Sequence, residues 1–141
     1  MESKFHISLP CKDITSTRRF YEVILESEIG RSASHWIDVN LFGNQLTFTK
    51  SGKFTFDYPS YSFEKTVLPS FHFGVILPKE QWIKMHSKLK KNSLMYIPET
   101  NFLKGKMGEH TSCFVRDPNG YVIEFKCFKE QGEIFRSGTV L

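Results

Sequence analysis

Residues 5–13, FHISLPCKD, and residues 71–80, FHFGVILPKE, decide the fold because they are two copies of one pattern. Each copy has Phe-His, alternating apolar positions, a proline and charged residues. An amphipathic helical pattern follows each copy, over residues 14–26 and 81–92. A repeat at close to half the chain length predicts two related halves.

Alternation within each copy predicts a strand with one polar and one apolar face. In the first copy, His6 and Ser8 share a face, and Ile7 lies on the other. His72 and Gly74 hold the matching positions in the second copy. We therefore expect both histidines on the less apolar face, while the apolar face packs against the helices.

The second half ends in a turn and a strand that carries a carboxylate. Residues 117–120, Asp-Pro-Asn-Gly, are a strong turn signal. In the strand that follows, Glu124 stands among apolar residues, where a carboxylate is costly to bury unless it is paired or metal-bound. When GYVIEF is aligned with GNQLTF, Thr47 is the residue of the first half that corresponds to Glu124. Gln45 shares the face of Thr47. It is a weak candidate for a fourth contact to a metal, and a hydrogen bond is its favoured role.

Two imidazoles and one carboxylate form a facial triad for a divalent metal with open positions. We predict that His6, His72 and Glu124 form such a mononuclear metal site. A histidine near the end of a strand is more often simply hydrogen-bonded than bound to a metal. The equivalent positions of His6 and His72 in the two halves strengthen the prediction that both are metal ligands. Glu124 has the alternative of a cross-strand salt bridge with Lys126 or Arg116.

Composition is that of an ordinary globular protein, with 141 residues, 40% hydrophobic and 24% charged. The 14 phenylalanines favour a sheet-rich core. The net charge of +4 is mild, and the lysine-rich stretch 84–91 is typical of a solvated helix end. We expect no nucleic-acid partner, because no aromatic-interleaved basic motif accompanies these lysines.

Cysteine usage and hydropathy indicate the compartment. Three cysteines with no CxxC pair favour a reducing environment, so we expect a cytoplasmic protein. The first ten residues have no long apolar stretch typical of a signal peptide. No apolar run approaches the roughly 20 residues that span a bilayer, so no membrane partner is expected.

These patterns predict an α+β fold of two βαβββ modules that form a cupped mixed β-sheet with helices on its outer face. Module one covers about residues 4–50 and module two residues 70–128. Between them, the aromatic-rich stretch 51–69 is a linker, a swap hinge or part of a pocket wall. A tail, 129–141, follows the second module.

The paired modules resemble the vicinal oxygen chelate superfamily, which includes glyoxalases, extradiol dioxygenases, fosfomycin-resistance enzymes and bleomycin-binding proteins. The resemblance covers about residues 4–128. It rests on four segments: KFHISLP (4–10), GRSASHWIDVNLFGNQ (30–45), FHFGVIL (71–77) and FLKGKMGEHTSCFVRDPNGYVIEFKCF (102–128). A subgroup labelled glyoxalase/bleomycin resistance/dioxygenase-like is the most similar.

The resemblance implies a metal-dependent enzyme whose small substrate chelates the metal through neighbouring oxygens. The family's ligands fall on His6, His72 and Glu124, and Fe(II) is favoured over Zn, Ni or Mn. The implied chemistry is extradiol-dioxygenase-like or glyoxalase-like, with Thr47 at the expected fourth ligand position arguing against the glyoxalase reaction. Asn44 stands where the subgroup often has histidine, a departure that does not touch the ligands.

The sequence indicates general acid–base residues less clearly than it indicates metal ligands. The irregular stretch 98–110 is typical of a functional loop and ends in Glu109 and His110, our catalytic candidates. Tyr96 and His35 are weaker candidates. For all four side chains, a surface or packing role is the more common one. Arg31 and two loop lysines, Lys104 and Lys106, can attract an anionic substrate.

Other functions stay open at this point. The main alternative is a metal-free, bleomycin-resistance-like protein that sequesters a ligand, which the aromatic stretch between the modules keeps alive. An antibiotic-modifying transferase would need an anion-pocket signature that the sequence lacks. The resemblance also implies a homodimer. The metal, the substrate, the reaction class and whether one chain or two build the site are left undecided.

Overall fold

The computed structural model describes residues 2–141 and divides into two compact units. The first unit comprises the described residues up to Phe56 together with Asp117–Gly120, and the second comprises Asp57–Arg116 and Tyr121–Leu141. Each unit carries one four-stranded mixed sheet. The element order confirms the predicted α+β fold with two βαβββ modules. Within the described residues, no helix has the length and apolarity needed to cross a membrane.

The first unit follows the predicted module. Its elements are β1 (His6–Cys11), α1 (Ile14–Arg19) with a π-helical continuation (Phe20–Ile24), β2 (Glu28–Ser32), β3 (Trp36–Leu41) and β4 (Asn44–Lys50). The strand order is β1-β4-β3-β2. β1 pairs with β4 in parallel, and the other neighbours are antiparallel. The parallel pair requires the crossover that α1 provides.

Helix α1 begins after Asp13, its N-cap, and covers the apolar face of its sheet. The Asp13 carboxylate accepts a hydrogen bond from the Ser16 amide at 2.7 Å. The buried ring of Tyr21 lies 4.9 Å from the ring of Phe48 on β4. Burying these aromatic side chains against the strand fixes the helix to one face and leaves the polar face, with His6, uncovered by it.

The predicted Asp-Pro-Asn-Gly turn forms, and its side chains bond to the helical segment of the first unit. The Tyr21 hydroxyl donates to Asp117 Oδ2 at 2.9 Å. Asn119 Oδ1 accepts from the Lys12 amide at 2.8 Å. Gly120 closes the turn with φ of +93°, a conformation that glycine adopts without strain.

The second unit repeats the module and adds a hairpin before it. Its strands are β5 (Ser60–Phe63), β6 (Thr66–Pro69), β7 (Phe73–Ile76), β8 (Met95–Phe102), β9 (His110–Arg116) and β10 (Val122–Phe128), and its helix is α2 (Lys79–Lys91), with a 3-10 turn at Gln131–Glu133. The main sheet has the order β7-β10-β9-β8, and β5 pairs only with β6. β7 runs parallel to β10, as β1 does to β4.

Helix α2 packs on the face of this sheet opposite Glu124. Trp82, Met85 and Leu89 are buried along the predicted helical stripe. The indole N–H of Trp82 donates to the Phe125 carbonyl at 2.7 Å. Because side chains alternate along a strand, the face that α2 leaves uncovered carries Glu124.

The aromatic stretch 51–69, predicted as a linker, contains the β5–β6 hairpin. Leu68 of this hairpin is buried in a cluster with Phe102, Phe114 and Val122, and Phe63 packs against the same cluster. Phe114 and Glu124 are cross-strand partners, so the hairpin packs on the face that carries Glu124. Part of that face is therefore closed by apolar contacts.

The irregular stretch 98–110 is shorter than predicted. Residues up to Phe102 belong to β8, so only residues 103–109 are irregular. The pairing of β8 with β9 shifts register on both sides of Ile97, next to Pro98. Proline has no N–H for the ladder and is tolerated at such irregularities, which explains why its presence does not end the strand.

Candidate functional site

The site is built around Glu124, whose side chain lies in the middle of β10 and is 8% exposed. Ser112 Oγ, on the neighbouring strand β9, donates to Glu124 Oε2 at 2.6 Å. The Lys126 ammonium lies 3.8 Å from the same oxygen. These contacts hold one carboxylate oxygen, and the other, Oε1, faces His72.

His72 lies just before β7 and is held by two contacts. Its Nδ1 lies 2.9 Å from the Pro69 carbonyl oxygen, which can only accept, so Nδ1 carries the proton. Its Nε2 lies 3.2 Å from Glu124 Oε1. The ring meets Phe114 edge to face, with 5.7 Å between the centroids. With Nδ1 committed, Nε2 is the nitrogen that is free to bind a proton or a metal beside the carboxylate.

The electrostatics of the pair favour opposite charges. The hydrogen bond with Glu124 raises the pKa of His72, and the bond to Pro69 adds to this, against the opposing effect of burial. Burial alone would raise the pKa of Glu124, but the hydrogen bonds from His72 and Ser112 and the charge of Lys126 hold that pKa below its ordinary value. Both shifts favour the charged forms of the pair, an imidazolium and a carboxylate.

Close backbone packing brings β7 against β10 at this point. Gly74 pairs with Glu124 in the parallel ladder. A Cβ at position 74 would collide with the Glu124 backbone, including its carbonyl carbon at 2.7 Å. Glycine is thus required here by space rather than by its φ angle. A recess of about 220 Å³ opens beside the pair, lined on its polar side by His72, Glu124 and Lys126.

The internal register establishes that His6 is the counterpart of His72. Ser8 pairs with Thr47 in the first sheet as Gly74 pairs with Glu124 in the second. His6 therefore holds the place of His72, as the sequence repeat predicts. It is exposed on β1 of the first unit.

The structure brings His72 and Glu124 together, and it leaves the predicted triad with His6 as a prediction. Among residues 2–141, no group of three or more His, Cys, Asp or Glu side chains is placed to hold a metal ion. The donor chemistry of the pair nevertheless fits a divalent metal. An imidazole nitrogen with a fixed tautomer lies beside an oxygen of a buried carboxylate. Both groups are common metal ligands.

The two acid–base candidates lie in different surroundings. His110 is 8% exposed on the face of Glu124, between the rings of Phe102 and Phe128, and its Nδ1 donates to the Gly108 carbonyl at 2.7 Å. Burial, the largest influence, lowers its pKa. Glu109 instead lines a cleft with Trp82, on the side of the sheet that α2 covers.

The Glu109 carboxylate is engaged within the 103–109 loop and its neighbours. It accepts from the Gly105 amide and from Asn101 Nδ2, each at 3.0 Å, and lies 3.5 Å from the Lys129 ammonium. These contacts, led by the Gly105 amide, lower its pKa. The arrangement explains how Glu109 orders the loop, and it does not bring this carboxylate to Glu124.

Sequence reasoning missed three groups that complete the site. Ser112 was not singled out, although a tight turn at residues 117–120 fixes the hairpin register and places it diagonally across from Glu124. The Pro69 carbonyl had no sequence signal, because a backbone acceptor depends on how the β5–β6 hairpin packs. Burial of Tyr61 raises the pKa of its phenol, and the negative charge of the nearby Glu124 carboxylate raises this pKa further.

Comparisons with known proteins identify the fold. A glyoxalase/bleomycin resistance protein/dioxygenase from Alicyclobacillus acidocaldarius is 22% identical with a TM-score of 0.80, over 94% of this chain and 96% of that chain. The fosfomycin resistance protein FosX from Listeria monocytogenes is 18% identical with a TM-score of 0.65, over 94% and 98%. A glyoxalase/dioxygenase from Nostoc punctiforme is 19% identical with a TM-score of 0.62, over 91% and 92%.

These neighbours are members of the vicinal oxygen chelate superfamily, and the present chain has their fold. At such identities the likeness establishes the architecture and leaves the activity to the site. No protein-family model matches the chain, and no curated protein matches it in sequence.

Proposed function

We propose that this chain is a mononuclear divalent-metal-dependent enzyme acting on a small substrate that chelates the metal through two neighbouring oxygens. One observation carries the proposal: His72 Nε2 lies 3.2 Å from Glu124 Oε1, while Nδ1 of the same ring is bonded to the Pro69 carbonyl. Metal-binding histidines are commonly oriented by such a bond at the other ring nitrogen. Two of the three ligands of a facial triad are thus supported by geometry.

The third ligand in this proposal is His6, from the same chain or from a second copy. Two imidazoles and a carboxylate suit Fe(II), Zn, Ni or Mn, and we place Fe(II) first on the strength of the resemblance alone. A bound metal would supply Lewis-acid stabilisation of developing negative charge on the substrate. We place extradiol-dioxygenase-like chemistry before glyoxalase-like chemistry, because Thr47 occupies the place where a fourth ligand is expected.

The chain's own side chains have separate roles in this proposal. Ser112 holds Glu124 Oε2 and so leaves Oε1 directed at His72. The Lys126 ammonium lines the same recess and can bind an anionic substrate oxygen. His110, which is buried and shares the face of Glu124, is the acid–base candidate that we retain over Glu109. The unpaired thiols of the chain support a reducing, cytoplasmic location, which is part of the proposal.

The second candidate function is a metal-free binding protein of the bleomycin-resistance kind. It is favoured by the contacts that Glu124 makes without a metal: an imidazole, a hydroxyl and an ammonium already surround its carboxylate. Within residues 2–141, no buried side-chain nitrogen or oxygen lacks a hydrogen-bond partner. The aromatic β5–β6 hairpin would then form a wall of the binding groove.

Elemental analysis distinguishes the two functions. We expect protein purified without chelators or a histidine tag to carry one divalent metal per site and to lose it in Glu124→Ala. The matched control is Glu99→Ala, because Glu99 faces His86 at 3.7 Å in a second His–Glu pair that we do not assign to a metal. Native protein that stays metal-free after reconstitution with each of the four metals would reject the enzyme and favour the binding protein.

A further inference from the structure

An arginine on the polar face of the first sheet is held in one orientation by two neighbours. Arg31 Nε donates to Asp38 Oδ2 at 3.0 Å, and its guanidinium carbon lies 5.5 Å from the centre of the Trp36 ring. Asp38 is 4% exposed, and its other oxygen accepts from Thr47 Oγ1 at 2.7 Å. A buried carboxylate and an aromatic ring therefore fix the plane of this guanidinium.

The outer edge of the Arg31 guanidinium is available for a ligand. The side chain is 77% exposed, although its Nε is bonded to a buried partner. In the part of the chain that the structure describes, its two Nη groups have no hydrogen-bond partner. Two parallel N–H donors on a rigid fork match the two oxygens of a carboxylate.

A recess of about 290 Å³ adjoins this edge, lined among others by Lys4, Gly30, Arg31, Asp38, Asn40 and Gln45. Two cations line it, and the charge of Asp38 is already engaged by Arg31 and Thr47. The remaining charge is positive and attracts an anion. Gln45 pairs with His6 on one side and with Asn40 on the other, so the recess opens on the His6 face of the sheet.

We propose that this recess binds the carboxylate group of a small organic acid, held by the Nη groups of Arg31 with Lys4 contributing charge. An ion pair with one partner so exposed adds little to stability. Burying the Asp38 carboxylate is costly, and we attribute that burial to its role in orienting Arg31. The inference uses residues of the first unit alone and needs no metal. It deepens the proposed function by naming an anionic substrate class, but it is tested separately.

The test is an NMR titration of chelator-treated, ¹⁵N-labelled full-length protein with benzoate, and with benzamide as the uncharged analogue. We expect benzoate to shift the amides of Gly30, Arg31 and Gln45, and benzamide to leave them in place. Arg31→Gln should weaken benzoate binding about tenfold or more, the effect of losing charge-assisted hydrogen bonds. Arg18→Gln is the matched control, since Arg18 pairs with Glu22 on the exposed side of α1.

Three results would overturn the inference: equal affinity in Arg31→Gln, equal binding of benzamide, or benzoate shifts confined to other parts of the chain. If Arg31→Gln does not fold, Arg31→Lys decides, because it keeps the charge and loses the fork. Lysine at position 31 should bind benzoate more weakly than arginine, and unchanged affinity would reject bidentate recognition. Because the protein is metal-free throughout, failure to bind metal at Glu124 has no bearing on this result.

Discussion

At the scale of single residues, the site depends on how one buried carboxylate is shared. Glu124 has a hydroxyl and an ammonium on Oε2 and an imidazole on Oε1. Leaving a buried charge unpaired costs several kcal/mol, on the order of 3 to 5, so these donors are required for stability. The same geometry lets a proton or a metal ion occupy the position between His72 and Glu124, which is why metal content is the decisive measurement.

His110, which is not one of the proposed ligands, contributes a pH dependence to stability, and the charge of Glu124 partly opposes the shift of its pKa. Burial lowers its pKa below 6.5, and the charge of Lys126 acts in the same direction. Below pH 6.5 the unfolded chain therefore takes up a proton that the folded protein resists, so the free energy of unfolding should fall as the pH falls. We expect His110→Gln to flatten this acid limb by up to about 1.4 kcal/mol per pH unit.

Urea denaturation of native protein and His110→Gln between pH 7 and pH 5 measures this effect. The difference between the two curves isolates the histidine from other titrating groups. An identical slope in both proteins would show that folding does not lower the pKa of His110, against the burial of its ring between Phe102 and Phe128.

The sequence predicted the residues whose position depends on local periodicity. Glu124 and both histidines are singled out by the two-residue alternation of strands and by the repeat. In the structure, Glu124 lies on the face of β10 that α2 leaves uncovered, and His6 holds the register position of His72. Asp38 was missed as an anchor for Arg31, because its pairing depends on a contact between β2 and β3 across a register shift. Such contacts are tertiary and leave no periodic signal.

At the scale of elements, the β7–β10 pair is the joint on which the site depends. His72 enters β7, and Glu124 lies in β10, so their separation is set by how closely the two strands approach. Gly74 permits that approach. We expect Gly74→Ala to destabilise the protein by about 2 to 3 kcal/mol, because the new methyl meets backbone atoms of Glu124 that cannot turn aside.

Thermal or urea unfolding tests this prediction with Gly132→Ala as the matched control. A Cβ at position 132 would meet nothing within 4 Å, so that variant should unfold close to native. Full native stability in Gly74→Ala would mean that β7 can move away from β10. It would also remove the support for a fixed His72–Glu124 distance.

The turn between β9 and β10 is a second structural joint. Asn119 accepts from the Lys12 amide and donates to Thr17 Oγ1 at 3.1 Å, and its side chain is buried. Asn119→Ala should cost about 1 to 3 kcal/mol, since it leaves partners in a buried network unsatisfied. Asn92→Ala, which removes an exposed hydrogen bond to the Lys88 carbonyl, should cost less. Equal losses in urea unfolding would contradict the structural role of the turn.

The elements themselves were largely predictable, and the exceptions have physical reasons. Both helices, the 117–120 turn and the strands of the two modules follow from caps, periodicity and turn residues. The sequence does not indicate the β5–β6 hairpin, because its aromatic, proline-containing stretch 51–69 fits a linker, a swap hinge or part of a pocket wall. Its stability comes from packing Phe63 and Leu68 on the Phe102 cluster, a contact that local pattern cannot predict.

At the scale of the whole molecule, the two units carry different chemical groups at matching positions of the repeat. Thr47 replaces Glu124, and it bonds to Asp38 instead of to a histidine. The first unit therefore offers a fixed guanidinium and an exposed His6, and the second a buried His–Glu pair. In the two proposals made above, one copy of the module would bind an anionic group and the other a metal ion.

We expect a homodimer in solution. β1 and β7 are end strands of their sheets, and such edges favour pairing with another chain unless they are protected. Large apolar side chains are exposed beside both, with Phe5 60% and Ile76 44% exposed. Ile76→Lys should weaken the dimer, while Ile83→Lys, 47% exposed on α2, should not.

Light scattering at micromolar concentration is the measurement. The native protein and Ile83→Lys should both have twice the 16.5 kDa mass of the chain, and Ile76→Lys should shift toward the single-chain mass. A native mass of 16.5 kDa would reject the dimer.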